Sequence, residues 1–306
     1  MSEASRPRVG IQLPEVEREV RWSELRTMAR LAEDVGLDSL WVGDHLLYRF
    51  SDGSTRGPWE AWSLLAALAA STDRIALGPL VASTSFHSPA MLAKLAANVD
   101  EISGGRLILG LGAGWNETEY RAFGFPFDHR ISRFEEAFTI IRTLLREGAI
   151  DFVGRYFEAR DCELVPRGPR PAGPPILIGS TGERMLRITM PHADAWNAWY
   201  ADTGNEPAGV APLRRRVDAA CRDVGRDPVE VERTAAVLVR FPGGSGRIQG
   251  ESGRPSVPPL EGPPEVLAEA FRDYARAGIA HLQLVLDPIT PASLEALAPA
   301  LEALRG

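Results

Sequence analysis

Apolar residues come along this chain in short unbroken bursts, separated by longer stretches where they recur every third or fourth position. The first pattern predicts strands buried on both faces, and the second predicts amphipathic helices. Val9–Leu13, interrupted by Gln12 and closed by Pro14, reads as the first strand. A helix from about Ser23, its expected N-cap, follows with Leu25, Met28, Ala32 and Val35 on one face. Gly36 ends it, and Ser39–Gly43 is the second strand. Pro58 opens the next helix, with Trp62, Leu65 and Leu68 inward, and Ile75–Val81 makes the third strand. Ser88 and Pro89 start a helix whose face is Met91, Leu92, Leu95, Val99 and Ile102, Pro being favoured at the first helical position. Gly104 and Gly105 then turn the chain into a fourth strand, Arg106–Leu111.

The alternation continues through helix 132–147, strand Pro175–Gly179, helix Glu183–Thr189, strand Ala195–Trp199 and helix Leu213–Val224. Strand Val231–Phe241, helix Pro264–Ala277, strand His281–Leu286 and helix Ala292–Leu304 complete it. Asp151–Val165 reads as an extended insertion that turns at Gly154. Eight strands alternating with helices is the count of an α/β (β/α)8 TIM barrel with insertions, here one domain over residues 1–306. A doubly wound open sheet is the rival architecture. Residues 241–263 are rich in Gly, Pro and Ser and lack periodicity, so a flexible insertion or lid is expected there.

Composition narrows the partners. Of 306 residues, 44% are apolar and 25% charged, ordinary globular values, and the net charge of −7 argues against a nucleic-acid or anionic-membrane surface. Arg214, Arg215 and Arg216 read as a solvated helix face. No apolar run approaches a membrane helix in length, and the opening MSEASRPRVGIQLP lacks the apolar run of a signal peptide. Cys162 and Cys221 make neither a disulfide framework nor a metal spacing. A cytoplasmic protein with a small-molecule substrate, no nucleic acid and no membrane is therefore expected. His129, His192 and His281 lie too far apart to suggest a metal site, so structural roles are expected for them.

Barrels and open α/β sheets keep their active sites at the carboxyl ends of the strands. The second strand ends there on Asp44 and His45, and His titrates near neutral pH unaided. The third ends in Leu80, Val81, Ala82, Ser83 and Thr84, a run that lets something lie flat against the backbone. The fourth ends in Gly110, Gly112 and Gly114, followed by Trp115 and Asn116. The fifth ends Gly179, Ser180, Thr181, Gly182 and runs into a helix, where backbone N–H groups and two hydroxyls could take an anion. A plain strand–helix turn and a tightly packed barrel corner are the bland readings of the last two. Together the features point to a planar, phosphorylated cofactor. There is no Gly-x-Gly-x-x-Gly after the first strand, no P-loop, no HExxH and no nucleophile elbow.

The segments AEDVGLDSLWVGDHL, LLAALAASTDRIALGPLV, SPAMLAKLAANVDEISGGRLILGLGAGWNETEYRAFGFPF and PPILIGSTGERMLRI carry a resemblance. Over Val9 to about Trp199 the chain resembles the bacterial luciferase-like family of flavin and deazaflavin oxidoreductases, most closely its F420-dependent branch. The resemblance implies a barrel that uses coenzyme F420, or alternatively FMN, often as a homodimer. It implies that Asp44 and His45 contact the ring and take part in acid–base catalysis, and His45, oriented by Asp44, is expected to donate or accept the proton that accompanies hydride transfer. It also places a non-prolyl cis peptide at Leu80–Val81, ring or ribityl contacts at Ser83, Ala113 and Gly114 with Trp115 and Asn116 beside them, and phosphate at Gly179, Ser180, Thr181 and Gly182. Two departures count against a sugar-phosphate dehydrogenase. Trp115 stands where such members have Glu, and Leu46-Leu47-Tyr48-Arg49 lacks their Trp. His87 stands where Arg is common.

The expected activity is hydride transfer between F420 and a small organic substrate. The alternatives are an FMN-dependent monooxygenase served by a flavin reductase, and a barrel that only binds such a ligand. Arg49, Arg56 and Arg184 are candidates for the anionic tail of F420. Tyr48, Trp59, Trp62, Trp115 and Trp199 are the expected aromatic lining.

Overall fold

The computed structural model describes residues 6–247 and 257–306. Its core is a ring of parallel staves: β1 Arg8–Gln12, β2 Ser39–Val42, β3 Ala76–Pro79 continuing as Ala82–Ser83, and β4 Leu109–Gly112. The other four are β5 Ile176–Ile178, β6 Ala195–Ala198, β7 Glu232–Arg240 and β8 His281–Asp287. Each pairs with its successor, and β8 returns to β1. The first half of β3 pairs with β2 and its second half with β4, and a Leu77–Leu107 bridge joins the two sides, so the cylinder closes. Between the halves the Leu80–Val81 peptide is cis, as the resemblance implies. The third and fourth staves cross where they lack side chains. A Cβ on Gly78 would sit 2.0 Å from the Ile108 carbonyl oxygen, and one on Gly110 would sit 2.1 Å from that of Pro79.

Around the ring lie α1 Trp22–Asp34, α2 Ala61–Ala69, α3 Pro89–Ile102, α4 Glu117–Phe123 and α5 Arg130–Glu147. They are followed by α6 Glu183–Thr189, α7 Tyr200–Thr203, α8 Val210–Asp223, α9 Pro264–Arg276 and α10 Pro291–Arg305. Leu25, Met28 and Ala32 of α1, and Leu65 and Leu68 of α2, enter one continuous core with the outward faces of the staves. That double burial is why the strands read as apolar bursts rather than alternations. No helix among the described residues is long and apolar enough to cross a membrane.

Several boundaries differ from expectation. Ser23 lies inside α1, whose N-cap is Arg21 without a side-chain bond. α2 begins at Ala61 rather than Pro58 because the Glu60 carboxylate accepts from the Trp62 and Ser63 N–H groups, an acidic cap that also suits the helix dipole. β4 begins at Leu109, since Arg106 is occupied in tying off α2: its guanidinium donates to the Ala69, Thr72 and Ile75 carbonyls. The Asp151–Val165 insertion is a hairpin, Ala149–Val153 against Glu158–Glu163, turning at Gly154. A second small hairpin, Tyr48–Arg49 with Thr55–Arg56, and helix α4 were not expected. At the edges of the expected lid, the Asp287 carboxylate accepts from the Ser245 and Gly246 N–H groups, and Val239 bridges Leu260. The remainder of that segment, residues 248–256, lies outside the described residues.

His281 is structural, as expected. Trp41 Nε1 donates to Ser39 Oγ at 2.7 Å, leaving the Ser39 hydroxyl to donate to His281 Nε2, also at 2.7 Å. Burial, with help from the Arg8 charge, pushes the imidazole down to about 3. In the unfolded chain it gains its proton near 6.5, so its contribution is fully present above that pH and is lost as pH falls toward about 3. The expected slope is about 1.4 kcal/mol per pH unit. Urea midpoints measured between about pH 7 and 4.5 should fall, and His281→Leu should flatten the trend. Equal slopes in the two proteins would remove His281 as the cause.

Candidate active site

At the carboxyl ends of the staves opens one cavity of about 290 Å³. It is lined at one end by Gly179, Ser180 and Thr181 after β5, and at the other by Asp44 and His45 after β2. Leu80, Val81 and Ser83 of the third stave, and Gly112, Ala113, Gly114 and Trp115 of the fourth, run between them.

The residue that holds His45 is Glu119, not Asp44. His45 Nδ1 lies 2.8 Å from Glu119 Oε1, and Leu46 N–H donates to Glu119 Oε2 at 2.8 Å. Asp44 Oδ2 instead accepts from the Ser83 N–H at 2.8 Å and lies 3.4 Å from His87 Nε2. Successive side chains of an extended segment leave on opposite sides, so neighbours in sequence are poorly placed to bond each other. With Nδ1 on Glu119, Nε2 is left facing Glu15 Oε1 at 3.7 Å. Burial alone would lower the His45 pKa, but Glu15, Glu119 and then Asp44 outweigh it, so the imidazolium persists above the ordinary 6.5.

Glu15, after β1, is the hub of a buried network. Gln12 Nε2 donates to it at 2.6 Å, Tyr48 OH at 2.5 Å and Arg247 Nη2 at 2.7 Å. Arg247 also donates from Nε to Glu17 Oε1 at 2.5 Å, and its guanidinium sits 5.5 Å from the centre of the Trp199 ring. Burial first, then the Glu15 charge, hold the Tyr48 phenol well above its ordinary range, so it remains a donor.

The shelf between the two ends depends on missing side chains. Gly114 has φ +71°, and a Cβ there would lie 1.9 Å from Tyr120 OH and 2.6 Å from Ser83 Oγ. Tyr120 donates to the Ala113 carbonyl at 2.8 Å and therefore accepts from Ser83 Oγ at 2.9 Å. A Cβ on Gly112 would come within 2.7 Å of the Val81 side chain, and one on Gly179 within 3.1 Å. Trp196 Nε1 donates to the Ser180 carbonyl at 2.7 Å and fixes the turn into α6.

Two expected cofactor contacts lie off the cavity. Asn116 is buried with its Nδ2 donating to the Leu47 carbonyl, so it fastens loops together, and Gly182 is the N-cap residue of α6 behind Ser180. Trp115 and Trp199 line the cavity, but Trp62 is core, Tyr48 is turned onto Glu15, and Trp59 donates to Val20 beside a separate cleft. Arg49, Arg56 and Arg184 do not line it. Arg56 stacks on Phe50 and donates to the Glu17 carbonyl, while Arg184 pairs with Glu135. Reading the sequence missed Gln12, Glu15, Glu119, Asn197 and Asp202. Gln12 and Asn197 had a signal, being lone amides inside apolar bursts. No group of His, Cys, Asp and Glu among the described residues could hold a metal ion.

Residues 6–241 match the family described as luciferase-like monooxygenase. The 5,10-methylenetetrahydromethanopterin reductase of Archaeoglobus fulgidus is 31% identical over 236 residues, 73% of this chain and 67% of the reductase. The pyrimidine monooxygenase RutA of Cronobacter sakazakii is 34% identical over 173 residues, 55% of this chain, and the match spans half of RutA's length. Among solved structures, an F420-dependent secondary alcohol dehydrogenase in complex with an F420-acetone adduct superposes with a TM-score of 0.82. It covers 98% of this chain and 100% of the dehydrogenase at 18% identity, a likeness of fold.

Proposed function

Because the chain belongs to the luciferase-like monooxygenase family, we propose that it is an oxidoreductase that holds coenzyme F420 across the barrel mouth and exchanges hydride with a small organic substrate. The observation that carries this reading is the single cavity that touches both His45 and the Gly179–Thr181 turn. Its shelf carries no side chain at Gly112, Gly114 and Gly179, and at the first two a Cβ would lie within 2.7 Å of neighbouring side chains, so a bare face is left on which a flat ring could lie. When bound, the deazaflavin ring would supply the carbon that gives or takes hydride. Val81 and the glycines would back that ring, and the Ser180 and Thr181 hydroxyls would face its phosphate. His45 would hold or release a proton at Nε2, with Glu119 fixing its tautomer from Nδ1. The tight shelf would exclude water from the covered face.

The match to the methylenetetrahydromethanopterin reductase over most of the chain, and the fold of an F420-dependent dehydrogenase, support F420. The match to a pyrimidine monooxygenase favours a second reading, FMN with a separate reductase. Fluorescence titrations of the purified chain with F420 and with FMN decide between them. F420 should bind at least about tenfold more tightly, a difference of about 1.4 kcal/mol. The reverse order would transfer the proposal to FMN, and binding of neither would end the cofactor reading.

A further inference from the structure

A second cleft, of about 260 Å³, opens between the segment that follows β1, the small hairpin that ends at Arg56 and the starts of α1 and α2. Among the described residues Glu15 alone lines both this cleft and the active-site cavity. Apolar lining comes from Val20, Leu25, Leu64 and Trp59, whose ring is half exposed. The indole is held despite that exposure, because Nε1 donates to the Val20 carbonyl at 2.7 Å. The charges of the lining are paired with one exception. Glu15 is bonded to Arg247, Glu19 Oε1 to Arg21 at 2.9 Å, and Arg18 to Glu24 and the Ile289 carbonyl. Arg56 has no carboxylate partner among the described residues. Its Nη1 donates to the Glu17 carbonyl at 2.9 Å, and its central carbon lies 3.9 Å from the centre of the Phe50 ring. The guanidinium is therefore fixed, and its Nε–Nη2 edge has no partner among the described residues. The Glu17 carboxylate is bonded to Arg247, and Asp52, which feels the Arg56 charge, is fully exposed at the hairpin turn and accepts from the Ser54 N–H.

A guanidinium edge takes a carboxylate through two parallel N–H···O bonds, and an indole face takes an aromatic ring. We propose that this cleft is a second binding site, for a small aromatic monocarboxylate that pairs with Arg56 and packs its ring on Trp59. One unpaired guanidinium matches one carboxylate. The cleft shares no residue with the glycine shelf, so its ligand is held beside the carboxylate that faces His45 and not in place of a cofactor.

Cinnamate and cinnamyl alcohol share a ring and a chain and differ in charge, so they serve as probes. Each is titrated into the purified chain and followed in proton–nitrogen correlation spectra of the tryptophan side chains. The Trp59 Nε1–H resonance is the one that Trp59→Phe removes. Cinnamate should shift it and bind about fivefold more tightly than the alcohol. The Trp115 and Trp199 resonances should move less, although His45 in their cavity could also attract an acid. Arg56→Ala, at an exposed position, should erase the preference for the acid, and Arg56→Lys should restore only part of it, because an ammonium cannot form the two parallel bonds. Saturating cinnamate should leave F420 affinity within about twofold. An unmoved Trp59 resonance, equal affinities for acid and alcohol, or an acid preference that survives Arg56→Ala would each overturn the proposal. Competition between cinnamate and F420 would place the probe on the shelf and overturn it too. Failure of F420 to bind would defeat the cofactor reading alone, since the Trp59 and Arg56 results are read without it.

Discussion

Replacing His45 with Ala should lower turnover by about 10²- to 10⁴-fold while cofactor affinity changes little, as expected when a positioned proton donor or acceptor is lost. The cofactor side of the cavity is made by backbone and small residues of the third, fourth and fifth staves, none of which His45 supports. Its own contacts run to Glu119, Glu15 and the rings of Tyr48 and Trp115. The pH profile adds a signed test. Acidic neighbours raise the His45 pKa against the effect of burial, so a reaction that needs the imidazolium should lose rate only above pH 6.5. The stability His45 contributes follows the same sign, full below 6.5 and lost as pH rises through the raised value. Glu119→Gln keeps an acceptor for Nδ1 but removes a charge, so it should shift the alkaline limb to lower pH and largely spare the rate on the acid side. An alanine variant with wild-type turnover would remove His45 from the chemistry. A glutamine variant with an unmoved limb would reduce Glu119 to a packing residue.

The barrel was legible because parallel staves covered on both faces leave apolar bursts, and eight of them alternating with helices admit few architectures. The strand-end residues were legible for the same reason: once the staves are placed, Asp44, His45, Ser83, Gly114 and Gly179 fall at one mouth. What was not legible is the pairing among side chains that are distant in sequence. His45 sits next to Asp44 in the chain yet bonds Glu119, which lies on a seven-residue helix too short to show periodicity. Glu15 follows a proline in an irregular segment, and nothing local announces that Tyr48, Gln12 and Arg247 converge on it. The Glu60 cap was hidden by a helix-start rule that favours Ser, Thr, Asp and Asn. Periodicity encodes which face of an element is buried, whereas the partners of a buried charge depend on the closed ring.

Replacing Arg247 with Ala should destabilise the protein by about 3–5 kcal/mol near neutral pH, the usual result of stripping a buried ion pair of one partner. Arg247 and Glu15 side chains are 1% and 2% exposed, and Glu17 is the other acid that the guanidinium neutralises. At about 2–4 °C per kcal/mol the melting temperature should drop by roughly 6–20 °C. Acid titration distinguishes a charge effect from lost packing. Burial pushes the Glu17 pKa up, but Arg247 and then backbone N–H donors outweigh it, so its folded value lies below the ordinary 4.5. That contribution is present above pH 4.5 and is lost as pH falls through the folded value. Without Arg247 the folded value rises, so the variant should lie furthest below wild type at neutral pH and the gap should close on acidification. Adding Glu15→Gln to the Arg247→Ala background should recover part of the loss, since one uncompensated buried charge disappears. The variant should also carry the His45 limb to higher pH, because Glu15 then acts on the imidazole undiluted. A stability gap that stays constant from neutral to acid pH, with no recovery in the double variant, would mean that Arg247 serves by bulk and that its charge does not organise the site.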